Sequence, residues 1–124
     1  MKLRALSAAL LIILDAAPSH AQSRQKDWEL VRNQGMMRLV LVSKAKERDR
    51  SVYQDAIRSV CTPGQYCWVL FWSSRASVPS RIPMSDAQAR AQVASYTHNP
   101  ATGLDEFLMT CRIEKDPSKC FGWP

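Results

Sequence analysis

The sequence has only two histidines and no hydrophobic run long enough to cross a membrane. Its longest apolar stretch, residues 5–14, is about half of the roughly 20 residues that a membrane-spanning helix requires. The Gly-x-Ser-x-Gly elbow of many serine hydrolases is missing, and internal repeats and low-complexity segments are missing as well. These absences argue against a transmembrane helix and leave no catalytic or cofactor motif.

The first 21 residues have the three parts of a secretory signal peptide. Lys2 and Arg4 supply a positive start, the apolar run follows, and Ser19 and Ala21 place small residues where a signal peptidase reads. We therefore expect cleavage after Ala21, a single domain over residues 22–124, and a periplasmic or secreted location. Because no cysteine lies near the cleavage site to take a lipid, no stable membrane anchor is expected.

Removal of the signal peptide would leave His98 as the single histidine. One histidine excludes two-histidine acid–base schemes and two-histidine metal sites within one chain. We therefore predict no metal site and no cofactor. His98 precedes a turn and is interpreted as an exposed turn residue, while Asp105 and Glu106 are interpreted as solvated charges at the start of a strand.

The four cysteines, an even number in a chain predicted to be exported, indicate two disulfides. Four cysteines allow three connectivities. The spacing favours Cys61 with Cys67, which bracket a Pro-Gly turn, and Cys111 with Cys120. Neither spacing matches the Cys-x2–4-Cys pattern that is typical of structural zinc sites.

The chain is basic, with a formal net charge of +6 at pH 7. A basic domain can be attracted to nucleic acid, anionic lipid or acidic polysaccharide. A net charge of this size also lies in the range that keeps a small domain soluble, and we favour that interpretation. Nucleic acid is accordingly not expected as a partner.

Two strands and a helix are indicated in the first half of the chain. Residues 37–44 and 67–72 are apolar on both faces, which is typical of central strands. Between them, apolar residues recur at three- and four-residue spacing over 51–61 and predict an amphipathic helix, with Ser51 and Gln54 as a capping box. Together the three elements predict a βαβ unit with parallel strands.

The second half predicts a helix and a β-hairpin. Ser85 and Gln88 form a capping box at the start of a helix whose buried stripe is mostly alanine. That stripe comprises Ala87, Ala91 and Ala94. A turn signal over 99–103 joins a strand that begins at about Ser95 to a last strand over 104–111.

We predict an α+β fold with a single small mixed β-sheet of about four strands and two helices packed on it. The order is a βαβ unit, then a helix and a β-hairpin, with two disulfides. Residues 28–32 and 93–98 are compatible with either strand or helix. The predicted core between helix and sheet comprises Leu39, Leu41, Val52, Ile57, Val60, Val69 and Phe71.

Trp68 and Trp72 share one face of the second predicted strand. If the helices cover the opposite face, both indoles are exposed beside Arg75 and Arg81, as a surface that can stack on sugars, bases or a partner protein. If both faces of this central strand are covered, the indoles belong to the core.

Three segments carry a resemblance to known proteins. The pattern Cys-x5-Cys-Trp-Val-Leu-Phe-Trp over 61–72, then Ile-Pro-Met-Ser-Asp-Ala-Gln over 82–88 and the Asn-Pro turn at 99–100, resembles small, uncharacterised exported proteins of proteobacteria. The resemblance covers about residues 36–111. It implies export and one compact domain, and it implies no activity and no functional residue.

Three functions are compatible with the sequence. We expect a small disulfide-stapled, non-enzymatic binding or interaction module for a periplasmic or extracellular protein, with Trp68, Trp72, Arg75 and Arg81 as its candidate site. The alternatives are a periplasmic hydrolase with an unrecognised active site and a binder of anionic polymer through the basic surface. A concave pocket that gathers His98 with a carboxylate favours the hydrolase, whereas an exposed tryptophan face favours the binding module.

Overall fold

The computed structural model describes residues 26–122, so the predicted signal peptide at residues 1–21 lies outside the described residues. Six strands are present in this range: β1 (Trp28–Gln34), β2 (Met37–Val42), β3 (Cys67–Trp72), β4 (Ala94–Asn99), β5 (Leu104–Thr110) and β6 (Cys120–Phe121). The same range has two α-helices, α1 (Arg50–Val60) and α2 (Asp86–Arg90).

All six strands form one mixed sheet in the order β1-β2-β3-β4-β5-β6. The β2–β3 and β5–β6 pairs are parallel, and the other neighbours are antiparallel. The α+β class and the parallel βαβ unit over β2, α1 and β3 are confirmed. The prediction of about four strands is too low. Residues 28–32, whose sequence is compatible with strand or helix, belong to β1 and pair with β2. Strand β6 comes from a short tail whose sequence has no strand pattern.

Helix α1 begins with Asp49 as its N-cap, which corrects the predicted capping box of Ser51 and Gln54. Oδ1 of Asp49 accepts hydrogen bonds from the backbone N of Ser51 at 3.0 Å and from its Oγ at 2.6 Å. The Ser51 hydroxyl therefore binds the cap instead of acting as the cap. The buried side chains of α1 are Val52, Tyr53 and Ala56.

Apolar side chains pack on both faces of the sheet, in two separate clusters. Helix α1 covers the face that carries Val40 and Phe71, and Leu39 lies on the opposite face with Leu70. The prediction that Leu39 and Leu41 share the helix-covered core is therefore wrong. The register pairs Val40 with Phe71 and Leu39 with Leu70, and two strands that are apolar on both faces do not reveal that register by their sequence.

The second face is covered by the segment 75–92, which includes α2. The capping box of Ser85 and Gln88 is confirmed, with Gln88 N donating to Ser85 Oγ at 3.2 Å and Ser85 N donating to Gln88 Oε1 at 2.8 Å. The prediction of a buried alanine stripe is wrong, because α2 has only five residues, Ala87 is exposed and Ala94 belongs to β4. The side chains that pack against the sheet from this segment are Val78, Met84 and Ala91.

Both predicted disulfides are confirmed. Cys61 bonds to Cys67 with 5.7 Å between their Cα atoms, and Cys111 bonds to Cys120 with 4.9 Å between theirs. Two disulfides indicate an oxidising compartment, which is extracellular or periplasmic.

The buried residue Glu47 forms a cluster of hydrogen bonds near the ends of β2 and β3. The Glu47 carboxylate accepts hydrogen bonds from Ser73 Oγ at 2.6 Å, from Arg112 Nη1 at 3.2 Å and from Lys44 Nζ at 3.2 Å. Its backbone carbonyl accepts one from the Tyr53 hydroxyl at 2.6 Å. Burial acts to raise the pKa of Glu47, but the three carboxylate hydrogen bonds outweigh it and lower that pKa from 4.5 to about 2.

The loop 100–103 sets the register of the β4–β5 hairpin. Asn99 Oδ1 accepts a hydrogen bond from Ala101 N at 3.0 Å, and Gly103 has a φ of +74°, a conformation that glycine adopts without a steric penalty. The turn places Asn99 opposite Leu104, and every pair further along the hairpin follows from that one.

Candidate functional site

An open groove lies beside α1, over the β4–β5 half of the sheet. Helix α1 packs mainly over β1 and β2, so much of the same face of β4 and β5 is left without a covering helix. Tyr53 reaches from α1 toward this half and contacts Phe107, with ring centroids 5.5 Å apart. We call this concavity the β4–β5 groove. It exists because one helix is too narrow to cover a six-stranded sheet.

The floor of the β4–β5 groove consists of two cross-strand pairs. Tyr96 lies opposite Phe107, and His98 lies opposite Asp105. Side chains alternate between faces along a strand, so these four point toward the α1 side while the residues between them point away. The floor is therefore aromatic in one row and polar in the next.

One side of α1 forms the wall. Arg50, Gln54, Ile57 and Arg58 line the groove at the three- and four-residue spacing that places side chains on one helix face. The loop 62–65 closes one end of the groove.

Two adjoining cavities make up the groove, with volumes of about 440 and 390 Å³. Ile57, Arg58, Tyr96 and Asp105 line both cavities, so the space is continuous. Small-ligand sites in proteins have volumes of roughly 300–1,000 Å³, and the groove falls in that range.

His98 is half-buried in β4, with 29% of its side chain exposed, so its interpretation as an exposed turn residue is wrong. Its Nδ1 atom is buried and has no hydrogen-bond partner among residues 26–122. The Oδ1 atom of Asp105 lies 3.8 Å away, beyond hydrogen-bond length. The exposed part of the imidazole therefore belongs to its other atoms, and these line the groove.

Tyr96 interacts with the Asp105 carboxylate. Burial, together with this interaction, raises the pKa of Tyr96 to about 12. Its hydroxyl therefore stays protonated at neutral pH. Asp105 itself is largely exposed at the groove rim, as expected from the sequence.

The two arginines of the wall differ in how well their charges are compensated. Arg50 forms an ion pair with Glu114 and also lies over the ring of Phe107, 5.7 Å from its centroid. Arg58 has a contact of 3.9 Å with Asp55, and both side chains are mostly exposed. Exposed pairs at this distance contribute little, so Arg58 is the less compensated cation of the groove.

A second concavity of about 720 Å³ lies between β1 and the end of α1. Some of its polar groups already have partners within the protein. The Trp28 indole N–H donates to Asp55 Oδ2 at 2.7 Å, and Arg38 Nε donates to the carbonyl of Val60 at 2.8 Å.

The exposed tryptophan pair predicted from the sequence is not present. Trp72 is fully buried beneath the segment 75–92, and its indole N–H donates to the carbonyl of Gln88 at 2.8 Å. Trp68, four residues earlier on the same strand, is 36% exposed. The alternative interpretation, in which both faces of β3 are covered, is correct for Trp72.

The two arginines of the predicted tryptophan site are at the surface. Arg75 forms an ion pair with Glu29 in β1, and Arg81 is exposed in the segment 75–92. Because Trp72 is buried, Trp68, Trp72, Arg75 and Arg81 do not form one exposed surface.

The groove residues could have been found from the turn signal over 99–103. In a hairpin, residues at equal distances from the turn lie opposite each other. Counting outward from the pair of Asn99 and Leu104 places His98 opposite Asp105. Neither strand reveals this pair by itself, and the wall from α1 has no local sequence signal because it depends on where the helix packs.

Within residues 26–122, all cysteines are in disulfides and no cluster of three or more His, Cys, Asp or Glu side chains is arranged to hold a metal ion. The helices in this range are too short or too polar to span a bilayer. Comparisons with models of protein families, with curated proteins and with solved structures found no match for this chain.

Proposed function

We propose that the protein is a non-enzymatic binding module of an oxidising compartment, and that its ligand site is the β4–β5 groove. The main support is the convergence of an aromatic floor with three polar side chains, Arg58, His98 and Asp105, in one concavity. Binding sites for small ligands typically combine apolar walls with a few converging polar groups. The occupant is a small ligand or a short segment of a periplasmic or extracellular protein.

Chemical-shift mapping tests the location of the site. We would titrate the 15N-labelled protein with two neutral aromatic probes, benzyl alcohol and indole, at millimolar concentration. The proposal expects the largest amide shifts at Ile57, Tyr96 and Phe107. Shifts centred on Trp68, or no localised shifts, would contradict it.

Two neighbouring residues of β4 provide a matched pair of variants. Tyr96 faces the groove, and Thr97 faces the other side of the sheet. Tyr96→Ala should weaken probe binding at least several-fold, and Thr97→Ala should leave it unchanged. Thermal unfolding of both variants establishes that each is folded before binding is compared.

The hydrolase is the second candidate, and it is favoured by the occurrence of His98 beside Asp105 in a concavity. We rank the binding module above it because His98 Nδ1 lies 3.8 Å from Asp105 Oδ1, so no hydrogen bond within the described residues orients the imidazole. A carboxylate that orients a histidine is a common general-base arrangement, and catalytic hydrogen bonds are often long before substrate binds. In such a reaction, water would attack an ester carbonyl and give its proton to His98. The imidazole would then pass that proton to the departing alcohol.

Hydrolysis of p-nitrophenyl acetate separates this candidate from the binding module. The binding module predicts the same low rate for the wild type and for His98→Gln. A wild-type rate at least tenfold above that of the variant would favour the hydrolase instead.

Binding of anionic polymer through the basic surface has less support. Arg50, Arg75 and Arg112 each form an ion pair with an acidic side chain, which reduces the positive charge available to a polymer.

We also propose export by a signal peptide over residues 1–21, in agreement with the two disulfides. Intact-mass measurement of protein recovered from the periplasm should show Gln22 as its first residue.

A further inference from the structure

We infer that the ligand of the β4–β5 groove carries a carboxylate on an apolar body, with the carboxylate bound by Arg58 and the body lying on the Tyr96–Phe107 row. This inference rests on the proposed function, since it assumes that the groove binds a ligand. It assigns a chemical class to that ligand.

The charges of the groove favour an anion. Two arginines, Arg50 and Arg58, line the two cavities, and Asp105 is the one acidic side chain among the described residues that line them. Arg50 forms an ion pair with Glu114, whereas Arg58 has a single contact of 3.9 Å with Asp55, in a mostly exposed pair. The lining therefore carries more positive than negative charge, and Arg58 is the arginine with the weaker partner.

The positions of the lining residues set the orientation of the ligand. Arg58 and His98 line the larger cavity together with the loop 62–65. Phe107 lines the smaller cavity beside Ile57 and Tyr96. A carboxylate at the loop end thus places an attached phenyl or alkyl group over the aromatic row, where apolar burial contributes to binding.

The Asp105 carboxylate lines both cavities and repels a bound anion, so its charge can be tested as well as that of Arg58. Neutralising Arg58 should weaken carboxylate binding, whereas neutralising Asp105 should strengthen it. A groove that binds only the apolar body would respond to neither change.

Three probes that share one phenylpropyl body provide the comparison: 3-phenylpropionate, 3-phenylpropionamide and 3-phenylpropylamine. Each would be titrated into the full-length protein and followed by amide shifts at Ile57, Tyr96 and His98. We expect the carboxylate to bind about five- to tenfold more tightly than the amide, as a charge-assisted contact predicts, and the amine to bind most weakly.

The variants are Arg58→Gln and Asp105→Asn, with Arg81→Gln as the control because Arg81 is an exposed arginine outside the groove. Arg58→Gln should remove the preference for the carboxylate over the amide. Asp105→Asn should tighten carboxylate binding two- to fivefold, and Arg81→Gln should change neither affinity.

The outcomes separate this inference from the proposed function. If the amide binds in the groove as tightly as the carboxylate, the inference fails and the proposed function stands. If the amine binds most tightly, Asp105 governs recognition and the inference also fails. If none of the three probes shifts the groove amides, both proposals fail.

The cavities have the volume of a small-ligand site, so we assign the carboxylate to a free small molecule. The C-terminus of a peptide that ends in an apolar residue presents the same chemistry and is the competing outcome. Acetyl-Ala-Ala-Phe with a free carboxylate should bind more weakly than 3-phenylpropionate, and tighter binding of this peptide would overturn the assignment to a small molecule. Loss of the carboxylate preference in Arg58→Gln is also required.

Discussion

His98 lies directly across the β4–β5 hairpin from Asp105, with 3.8 Å between Nδ1 and Oδ1. This pair forms the polar row of the groove floor, and Tyr96 with Phe107 forms the aromatic row beside it. Both rows depend on the hairpin register that the loop 100–103 imposes. The candidate site is therefore built on two paired strands, which position side chains more firmly than loops do.

The two tryptophans of β3 should differ sharply in their contribution to stability. Trp72→Ala removes a fully buried indole and its hydrogen bond to Gln88, and should lower the free energy of unfolding by about 3–5 kcal/mol. Trp68→Ala removes a partly exposed ring and should cost no more than about 1–2 kcal/mol. Urea unfolding of both variants measures the difference, and equal losses would mean that the two faces of β3 are assigned incorrectly.

Acid should destabilise the fold through Glu47. Its pKa in the folded protein, about 2, lies below the ordinary 4.5, so the ionised carboxylate stabilises the fold above pH 4.5. This stabilisation, on the order of 3 kcal/mol, should be lost as the pH falls from 4.5 to 2. Unfolding free energies measured across that range should fall less steeply for Glu47→Gln than for the wild type. Identical slopes would remove Glu47 as the cause.

Substitutions of Asp49 and Gln54 test which of these residues caps the start of α1. Asp49→Ala removes the acceptor for Ser51 and should cost about 1 kcal/mol in the free energy of unfolding. Gln54→Ala should have an effect within about 0.5 kcal/mol, because no capping box depends on Gln54. Chemical denaturation measures both free energies of unfolding. A larger decrease for Gln54→Ala than for Asp49→Ala would indicate that Ser51 and Gln54 form the capping box after all.

The elements that the sequence predicted well are those with strong local signals. The apolar runs of β2 and β3, the periodicity of α1 and the capping box at Ser85 each depend on nearby residues alone. The pairing of Cys61 with Cys67 and of Cys111 with Cys120 also followed from short spacing. All of these agree with the structure.

The errors concern relationships between elements. Because β2 and β3 are apolar on both faces, their sequences did not show that Leu39 belongs with Leu70, or that Trp72 lies under the segment 75–92. Strand β6 has two residues and forms by pairing with β5, so it has no periodicity to detect. The groove wall depends on where α1 packs across the sheet, which is a property of the assembled fold.

The central claim is that a ligand binds in the β4–β5 groove, and intermolecular NOE measurements test it most directly. With 3-phenylpropionate as the probe, the phenyl protons should show NOEs to the side chains of Tyr96 and Phe107, and to Ile57 across the groove. NOEs to Trp68 in place of these residues would place the ligand on the opposite face of the sheet and contradict the claim.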